Sequence, residues 1–326
     1  MKPMHVLITG GAGFIGSHLT DTLLKRGDDV TVVDNFDPYY APRLKWANLA
    51  RAQEHDNFSL SPTDIRDIEK VNELFDHGGF DAVVHLAALA GVRESLKRPA
   101  DFVDVNINGT LVLMDAARRH GQPRFVLAST SSVYGLSPHV PFSEGDPLMQ
   151  CISPYGATKI ACEKLAHTYY HVHDIPMVAL RFFTVYGPRQ RPDMAIHKFV
   201  RAILNGEEIT LYGDGTSSRD YTYIDDIIAG VVAALDGTQR YDVVNLGNSA
   251  TVTLSELVHV IEEACGTKAK LKPLPEQPGD PPHTCADITH ARHTLGFEPQ
   301  TDIAEGVARF VDWYRSEPAL KEGADT

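Results

Sequence analysis

The stretch Val6-Leu7-Ile8-Thr9-Gly10-Gly11-Ala12-Gly13-Phe14-Ile15-Gly16 decides how the chain is read. A short apolar run passes straight into a glycine string, and an amphipathic segment, residues 14–26, follows. The string fits GxGxxG through Gly11, Gly13 and Gly16, and GxxGxxG through Gly10, Gly13 and Gly16. A turn without Cβ atoms lets a pyrophosphate approach backbone N–H groups at a helix N-terminus, where the peptide dipoles favour an anion. A lone glycine string is weak evidence. One lying between a strand and a helix is what that mechanism requires. A second apolar run ends in Val32-Val33-Asp34. A carboxylate there accepts hydrogen bonds from an adenosine ribose and repels a 2′-phosphate, which favours NAD over NADP.

Outward from this turn, short apolar runs alternate with longer amphipathic ones. Strands are expected at 6–9, 30–34, 58–60, 82–86, 125–129 and 177–181, and helices at 14–26, 42–53, 68–75, 99–119 and 154–173. The alternation predicts an α/β fold: a Rossmann-type doubly wound parallel sheet, helices on both faces, right-handed crossovers. After Arg181 the rhythm changes. Gly and Pro cluster at Gly187-Pro188, Arg191-Pro192, 213–215 and 273–282, between shorter helices (195–204, 224–235, 254–265, 303–315) and isolated strands (209–212, 243–246). The expected division is a dinucleotide-binding domain carrying the catalytic residues, 1–181, and a smaller C-terminal substrate-binding lobe, mainly 182–326. The second need not be contiguous and can return strands or helices to the first.

Composition sets outer bounds. The chain has 326 residues, 43% hydrophobic and 22% charged, which excludes disorder and allows about two domains. Its formal charge of −13, with no Lys/Arg block, lacks the footprint of a nucleic-acid or anionic-membrane binder. Cys151, Cys162, Cys265 and Cys285 show no zinc-type spacing and make no disulfide framework. His167 and His171 share a helix face near His173, but the HExxH glutamate is absent, so no metal is expected. No apolar run reaches the ~18 residues of a membrane span. The first apolar run is too short for a signal peptide, so a cytoplasmic location is expected.

A candidate catalytic pair follows Ser153-Pro154, which has the form of a helix N-cap and N1 proline. Tyr155 and Lys159 lie four residues apart on one helix face. A phenol is a poor base at neutral pH, with a pKa of about 10. A neighbouring ammonium and a bound nicotinamide cation are expected to lower it.

These residues carry a resemblance. Gly10/Gly13/Gly16, with Phe14 and Ile15 between them, Asp34-Asn35 and Tyr155-Gly156-Ala157-Thr158-Lys159 resemble the extended short-chain dehydrogenase/reductase family of nucleotide-sugar enzymes. Asp64-Ile65 matches that family's adenine-contacting pair, and Leu86-Ala87-Ala88 its cofactor wall. Asn106 matches the helix that backs its active site, and the run from Ala128 to Gly135 the end of its fifth strand. The resemblance implies NAD, held tightly through the cycle, and a UDP-sugar substrate. It implies Tyr155 as acid/base for the sugar 4-hydroxyl, Lys159 as partner of the nicotinamide ribose, and Thr130 as the hydroxyl sharing the sugar oxygen. It also implies a homodimer through helices 99–119 and 154–173.

Which reaction follows oxidation at carbon 4 is read from what is missing. The family's 4,6-dehydratases carry Asp-Glu where this chain has Ser131-Ser132, and UDP-glucuronate decarboxylases carry Glu at the second position. Serine supplies no carboxyl acid/base. Epimerisation needs none beyond the tyrosine. Ala90-Gly91-Val92-Arg93-Glu94-Ser95 and Arg189-Gln190-Arg191-Pro192-Asp193-Met194-Ala195 resemble UDP-glucuronate 4-epimerases. Thr184 stands where UDP-galactose 4-epimerases usually place Asn, in a segment beginning Arg181-Phe182-Phe183 that is similar to the family's sugar contact. The resemblance implies Val92, Arg93, Thr130, Ser131, Ser132, Thr184, Arg191 and Ala195 as sugar-side residues. Arg191, more than Arg93, is expected on a uronate carboxylate. Arg219, in the segment from Gly213 to Tyr221, and Asp280, in Gln277-Pro278-Gly279-Asp280, match the family's pyrophosphate and ribose contacts. The expected activity is interconversion of UDP-glucuronate and UDP-galacturonate by an isomerase. The alternative is 4-epimerisation of UDP-glucose or UDP-N-acetylglucosamine. Decarboxylation, 4,6-dehydration and a non-catalytic NAD-binding regulator rank lower.

Overall fold

The computed structural model describes residues 2–148, 150–275 and 281–320. Six strands follow one another: β1 (His5–Thr9), β2 (Asp29–Val33), β3 (Phe58–Ser61), β4 (Ala82–His85), β5 (Arg124–Thr130) and β6 (Met177–Phe182). They lie in the order β3-β2-β1-β4-β5-β6, and a seventh strand, Tyr241–Leu246, returns from the second half of the chain to pair with β6. Every pairing in this sheet is parallel. Parallel strands are covered on both faces, which is why they read as continuous apolar runs. Successive side chains point to opposite faces. In β1, Val6 and Ile8 enter one core while Leu7 enters the other. Burying one such side chain is worth about 1.5–3 kcal/mol.

The chain winds outward one way from β1 through β2 and β3, and the other way through β4, β5 and β6. The order reverses between β1 and β4, and a crevice opens there at the carboxyl ends of the strands. Helix α1 (Phe14–Arg26) starts at Gly13 with no side-chain cap and ends on Gly27 in the left-handed conformation. Its first N–H groups are thus left for a ligand. The helix Pro154–His173 has the expected cap: Ser153 Oγ accepts from Gly156 N at 3.1 Å.

Two expected helices are revised. The segment 99–119 is not one α-helix. It divides into Pro99–Phe102, a π-helical turn Val103–Asn108, and Gly109–Arg119. The wider turn accommodates Asn106, a buried residue whose amide accepts from Leu89 N at 2.8 Å and donates to Leu89 O at 3.0 Å. The carbonyl of Asn106 accepts from the Thr110 hydroxyl and the Cys162 thiol. The helix expected at 42–53 stops at Leu49 and gives way to a 3₁₀ turn, Ala52–Glu54.

Past β6 the backbone forms small strand pairs. Thr184–Tyr186 pairs with Tyr221–Tyr223, Ser218–Arg219 with Val252–Thr253, and Glu208–Tyr212 with Lys270–Leu274. Helices Ala195–Asn205, Leu254–Cys265 and Ile303–Ser316 pack beside them. Among the described residues, no helix is long and apolar enough to cross a membrane, and no three His, Cys, Asp or Glu side chains gather as metal ligands. All four cysteines are free thiols.

Candidate active site

A cavity of about 410 Å³ lies along the crevice. Its walls run from Asp34, Asn35, Asp64 and Ile65, past Gly10, Gly13, Phe14, Ile15 and Gly16 and the facing Leu86, Ala87 and Ala88, to Thr130, Tyr155 and Lys159. Every candidate cofactor residue named from the sequence lines it.

The glycines explain how close the walls come. Gly10 has φ +71°, and a Cβ on it would lie 2.7 Å from Ala87 N. A Cβ on Gly16 would lie 2.2 Å from the carbonyl oxygen of Gly10. The turn therefore packs helix against strand and leaves a backbone cradle that side chains would fill. Gly11 faces away: a Cβ there would meet Val32 at 2.6 Å. Of the two glycine spacings, the set Gly10, Gly13, Gly16 faces the cavity and Gly11 serves packing.

Asp34 is placed at the end of β2 by backbone donors. Its oxygens accept from Ala12 N at 3.2 Å and Phe36 N at 2.8 Å. Lys45, itself buried, stands 3.7 Å from Asp34 and lines the same cavity. At the far end, Arg66 holds the Asp64 carboxyl at about 2, and Asn35 donates to it at 2.9 Å. A glycine cradle at a helix N-terminus, followed by a ribose-sized carboxylate site, fits a dinucleotide such as NAD.

At the other end Thr130 stands beside the Tyr155 phenol and favours its ionised form. Thr130 Oγ1 also accepts from Ser132 N at 3.2 Å. The Lys159 ammonium is buried and donates to Ala128 O at 2.8 Å. The expectation of a lowered phenol pKa is corrected for the protein's own groups. Burial pushes Tyr155 up, opposed by Thr130 and by the charge of Arg191 rather than by Lys159. Burial likewise pushes Lys159 down.

The sugar-side candidates divide. Val92, Ser131, Ser132, Thr184 and Arg191 line the cavity with Phe182 and Phe183. Arg191 forms a two-point pair with Asp193 at 3.0 Å each and lies over the Tyr39 ring at 5.4 Å. Arg93 packs over Tyr212 at 5.1 Å, outside the cavity walls, and Ala195 is also outside them. Arg219 donates to Ser218 O and Pro282 O rather than into the cavity. Asp280 and Gln277 lie outside the described residues. Arg181, which opens the segment similar to the family's sugar contact, has a structural place. It is buried against Glu163 at 2.8 and 2.9 Å and donates to Tyr134 Oη. The carboxylates in the cavity wall are Asp34, Asp37 and Asp64, all on the segments following β2 and β3 rather than beside Tyr155.

The sequence reading missed Tyr39, Tyr40 and Lys45, which also line the cavity. They sit on a segment that folds back after Phe36 takes φ +53°, and no periodicity marks such a return. The pairing of two tyrosines with a lysine five residues on from the second is the one local signal available.

Comparison with known proteins agrees with this geometry. A family model described as GDP-mannose 4,6 dehydratase matches residues 7–310. UDP-glucuronate 4-epimerase 4 of Arabidopsis thaliana is 44% identical over 330 residues, covering 95% of this chain and 75% of that protein. A UDP-glucuronic acid 4-epimerase from Bacillus cereus, solved with UDP-glucuronic acid and NAD, superposes with a TM-score of 0.90 at 39% identity, covering 96% of this chain and 99% of that one. A UDP-glucose 4-epimerase from Thermotoga maritima, solved with UDP-glucose, gives 0.88 at 32% identity, covering 96% and 99%. With a model match across most of its length, and the glycine cradle and Tyr-Lys-Thr cluster in one crevice, the chain belongs to the extended short-chain dehydrogenase/reductase family of nucleotide-sugar enzymes.

Proposed function

We propose that the protein is an NAD-dependent isomerase that interconverts UDP-glucuronate and UDP-galacturonate at carbon 4 through a 4-keto sugar. The observation that carries this reading is the composition of the catalytic end. Tyr155, Thr130 and Lys159 are present, Ser131 and Ser132 replace the carboxylates that elimination or decarboxylation needs, and Arg191 lines the same wall. The relatives named UDP-glucuronate 4-epimerase support the uronate over a neutral hexose.

When bound, NAD supplies hydride removal from carbon 4 and its return to the opposite face of the sugar. The 10–16 turn and the N-terminus of α1 would hold its pyrophosphate, and Asp34 a ribose. Lys159, with one N–H on Ala128 O, keeps two donors for the other ribose. The Tyr155 phenolate, favoured against burial by the nicotinamide charge of bound NAD, accepts the 4-hydroxyl proton as charge develops on that oxygen and returns it on reduction. Thr130 steadies the same oxygen. A 4-keto uronate is a β-keto acid and loses carbon dioxide when its carboxylate bond aligns with the ketone. Thr184, Ser131, Ser132 and Arg191 are assigned to hold the carboxylate out of that alignment.

Dinucleotide binding is assigned to residues 1–181 and nucleotide-sugar binding mainly to 182–326. A homodimer is supported by exposed Val103, Leu111 and Val172 on the two long helical segments. Free thiols suit a reducing, cytoplasmic setting.

The test is incubation with UDP-glucuronate and NMR of the anomeric protons. UDP-galacturonate should appear. UDP-pentose, or turnover of UDP-glucose alone, would overturn the reading.

A further inference from the structure

Behind the cavity floor lies a buried polar chain that the mechanism above does not use. It centres on His85, the last residue of β4 and fully enclosed. Its Nδ1 lies 2.7 Å from Thr9 Oγ1, at the end of β1 just before Gly10. Its Nε2 lies 2.8 Å from Thr110 Oγ1, on the segment after the π-helical turn. We infer that His85 is a positioning residue: an imidazole with its proton on Nε2 that ties the cofactor floor at Thr9 and Ala87 to the helix carrying Tyr155.

The direction of every bond follows from counting protons. The Thr110 hydroxyl donates to the Asn106 carbonyl, so its oxygen has only lone pairs left for His85. The ring must then donate from Nε2, which leaves Nδ1 bare to accept the Thr9 hydroxyl proton. Thr9 Oγ1 accepts in turn from Ala87 N at 3.2 Å. The opposite tautomer would leave the Thr9 hydroxyl proton without an acceptor in the chain and Thr110 facing the Asn106 carbonyl oxygen-to-oxygen. Only one arrangement satisfies the whole chain, and buried polar groups left unmatched are costly. Burial keeps the ring neutral, pushing it to about 3, and the nearby charge of Lys159 acts in the same direction.

Both ends of the chain reach the site. Ala87 is the residue against which Gly10 packs, so a shift of Ala87 moves the pyrophosphate cradle. From Asn106 the bonds continue to Leu89, another wall residue, and at 3.0 Å to Thr158 Oγ1. Thr158 donates to the carbonyl of Tyr155 at 2.8 Å and neighbours Lys159. One ring thus sets the spacing between the cofactor floor and the acid/base helix. Errors of about 1 Å in such spacing can cost on the order of 100-fold in rate.

The inference rests on reading the cavity as a dinucleotide site and not on which sugar is turned over. Its first test needs no substrate, so it fails or holds apart from the epimerase assignment. In the ¹⁵N-histidine-labelled parent chain, the His85 ring should show a protonated Nε2 and a bare Nδ1; a protonated Nδ1 would overturn the inference. The second test compares His85→Leu with His85→Gln, whose amide again offers an acceptor and a donor. His85→Leu should weaken NAD binding and lower kcat by about tenfold or more in the folded fraction, with KM for the UDP-sugar little changed. His85→Gln should recover most of that loss. Thr110→Val, which removes the next hydroxyl at nearly constant volume, should act in the same direction and decides the matter where His85→Leu does not fold. Variants that lose thermal stability yet keep NAD affinity and kcat within twofold would reduce His85 to a packing residue.

Discussion

The two halves of this molecule build the cavity wall by different means. Up to β6 the wall at the strand ends is a glycine turn, a helix N-terminus and a carboxylate, set by consecutive parallel strands. Beyond β6, loops bring side chains to the wall and hold them by pairing, as Arg191 and Asp193 show together with Tyr39 of the first half. A backbone site needs a fold and a few missing Cβ atoms. A side-chain site needs partners that hold each group in place. The first tolerates changes around it and fails at single glycines, while the second is tuned residue by residue.

The largest expected effect separates chemistry from cofactor binding. Tyr155→Phe should lower kcat by about 10³-fold or more while NAD stays bound, since the groups assigned to hold it are the 10–16 turn, Asp34 and Lys159. NAD affinity falling in step with turnover would break the comparison. Next comes the seam between halves. Glu163 pairs with Arg181 on β6, which reaches through Tyr134 to Asn245 on the returning strand. Glu163→Gln should destabilise the fold by about 3–5 kcal/mol, because it leaves a buried guanidinium charge uncompensated. Urea denaturation checks this, and an unchanged midpoint would show the pair to be dispensable. Arg191→Gln should cost about 1.5–3 kcal/mol in kcat/KM for UDP-glucuronate, the worth of a hydrogen bond to a charged group. UDP-pentose should appear as a by-product. Equal losses on UDP-glucose would assign Arg191 to something other than the carboxylate.

The last prediction concerns pH. Burial holds His85 and His18 neutral, at about 3 and about 4, against an ordinary value of 6.5. Above pH 6.5 both folded and unfolded chains are neutral there, so stability is fully present. As pH falls below 6.5 the unfolded chain binds protons first, and stability is lost until the folded values are reached. For enclosed His85 the slope is about 1.4 kcal/mol per pH unit. Urea midpoints at pH 7 and pH 5 measure it; equal midpoints would contradict neutral burial.

Legibility followed the same division. The six parallel strands, α1 and the helix Pro154–His173 were readable because local periodicity and capping agree with the final fold. The cofactor wall was readable because glycine spacing and a strand-end Asp are local. The π-helical turn was not, since the inward turn of Asn106 depends on Leu89 and Thr158. Tyr39, Tyr40 and Lys45 were missed because only a loop's return path brings them to the crevice. Arg181 adjoins the wall residue Phe182, but strand alternation turns it to the opposite face.

By itself the sequence determined the doubly wound sheet, the dinucleotide turn and the Tyr155–Lys159 pair, because each depends on residues a few positions apart. Only the tertiary structure decided which glycines face the cavity, where Arg93, Arg181 and Arg219 point, and which hydroxyls meet His85. Those depend on distances between segments far apart in the chain, and a hydrogen bond changes over tenths of an ångström that no spacing along a sequence encodes.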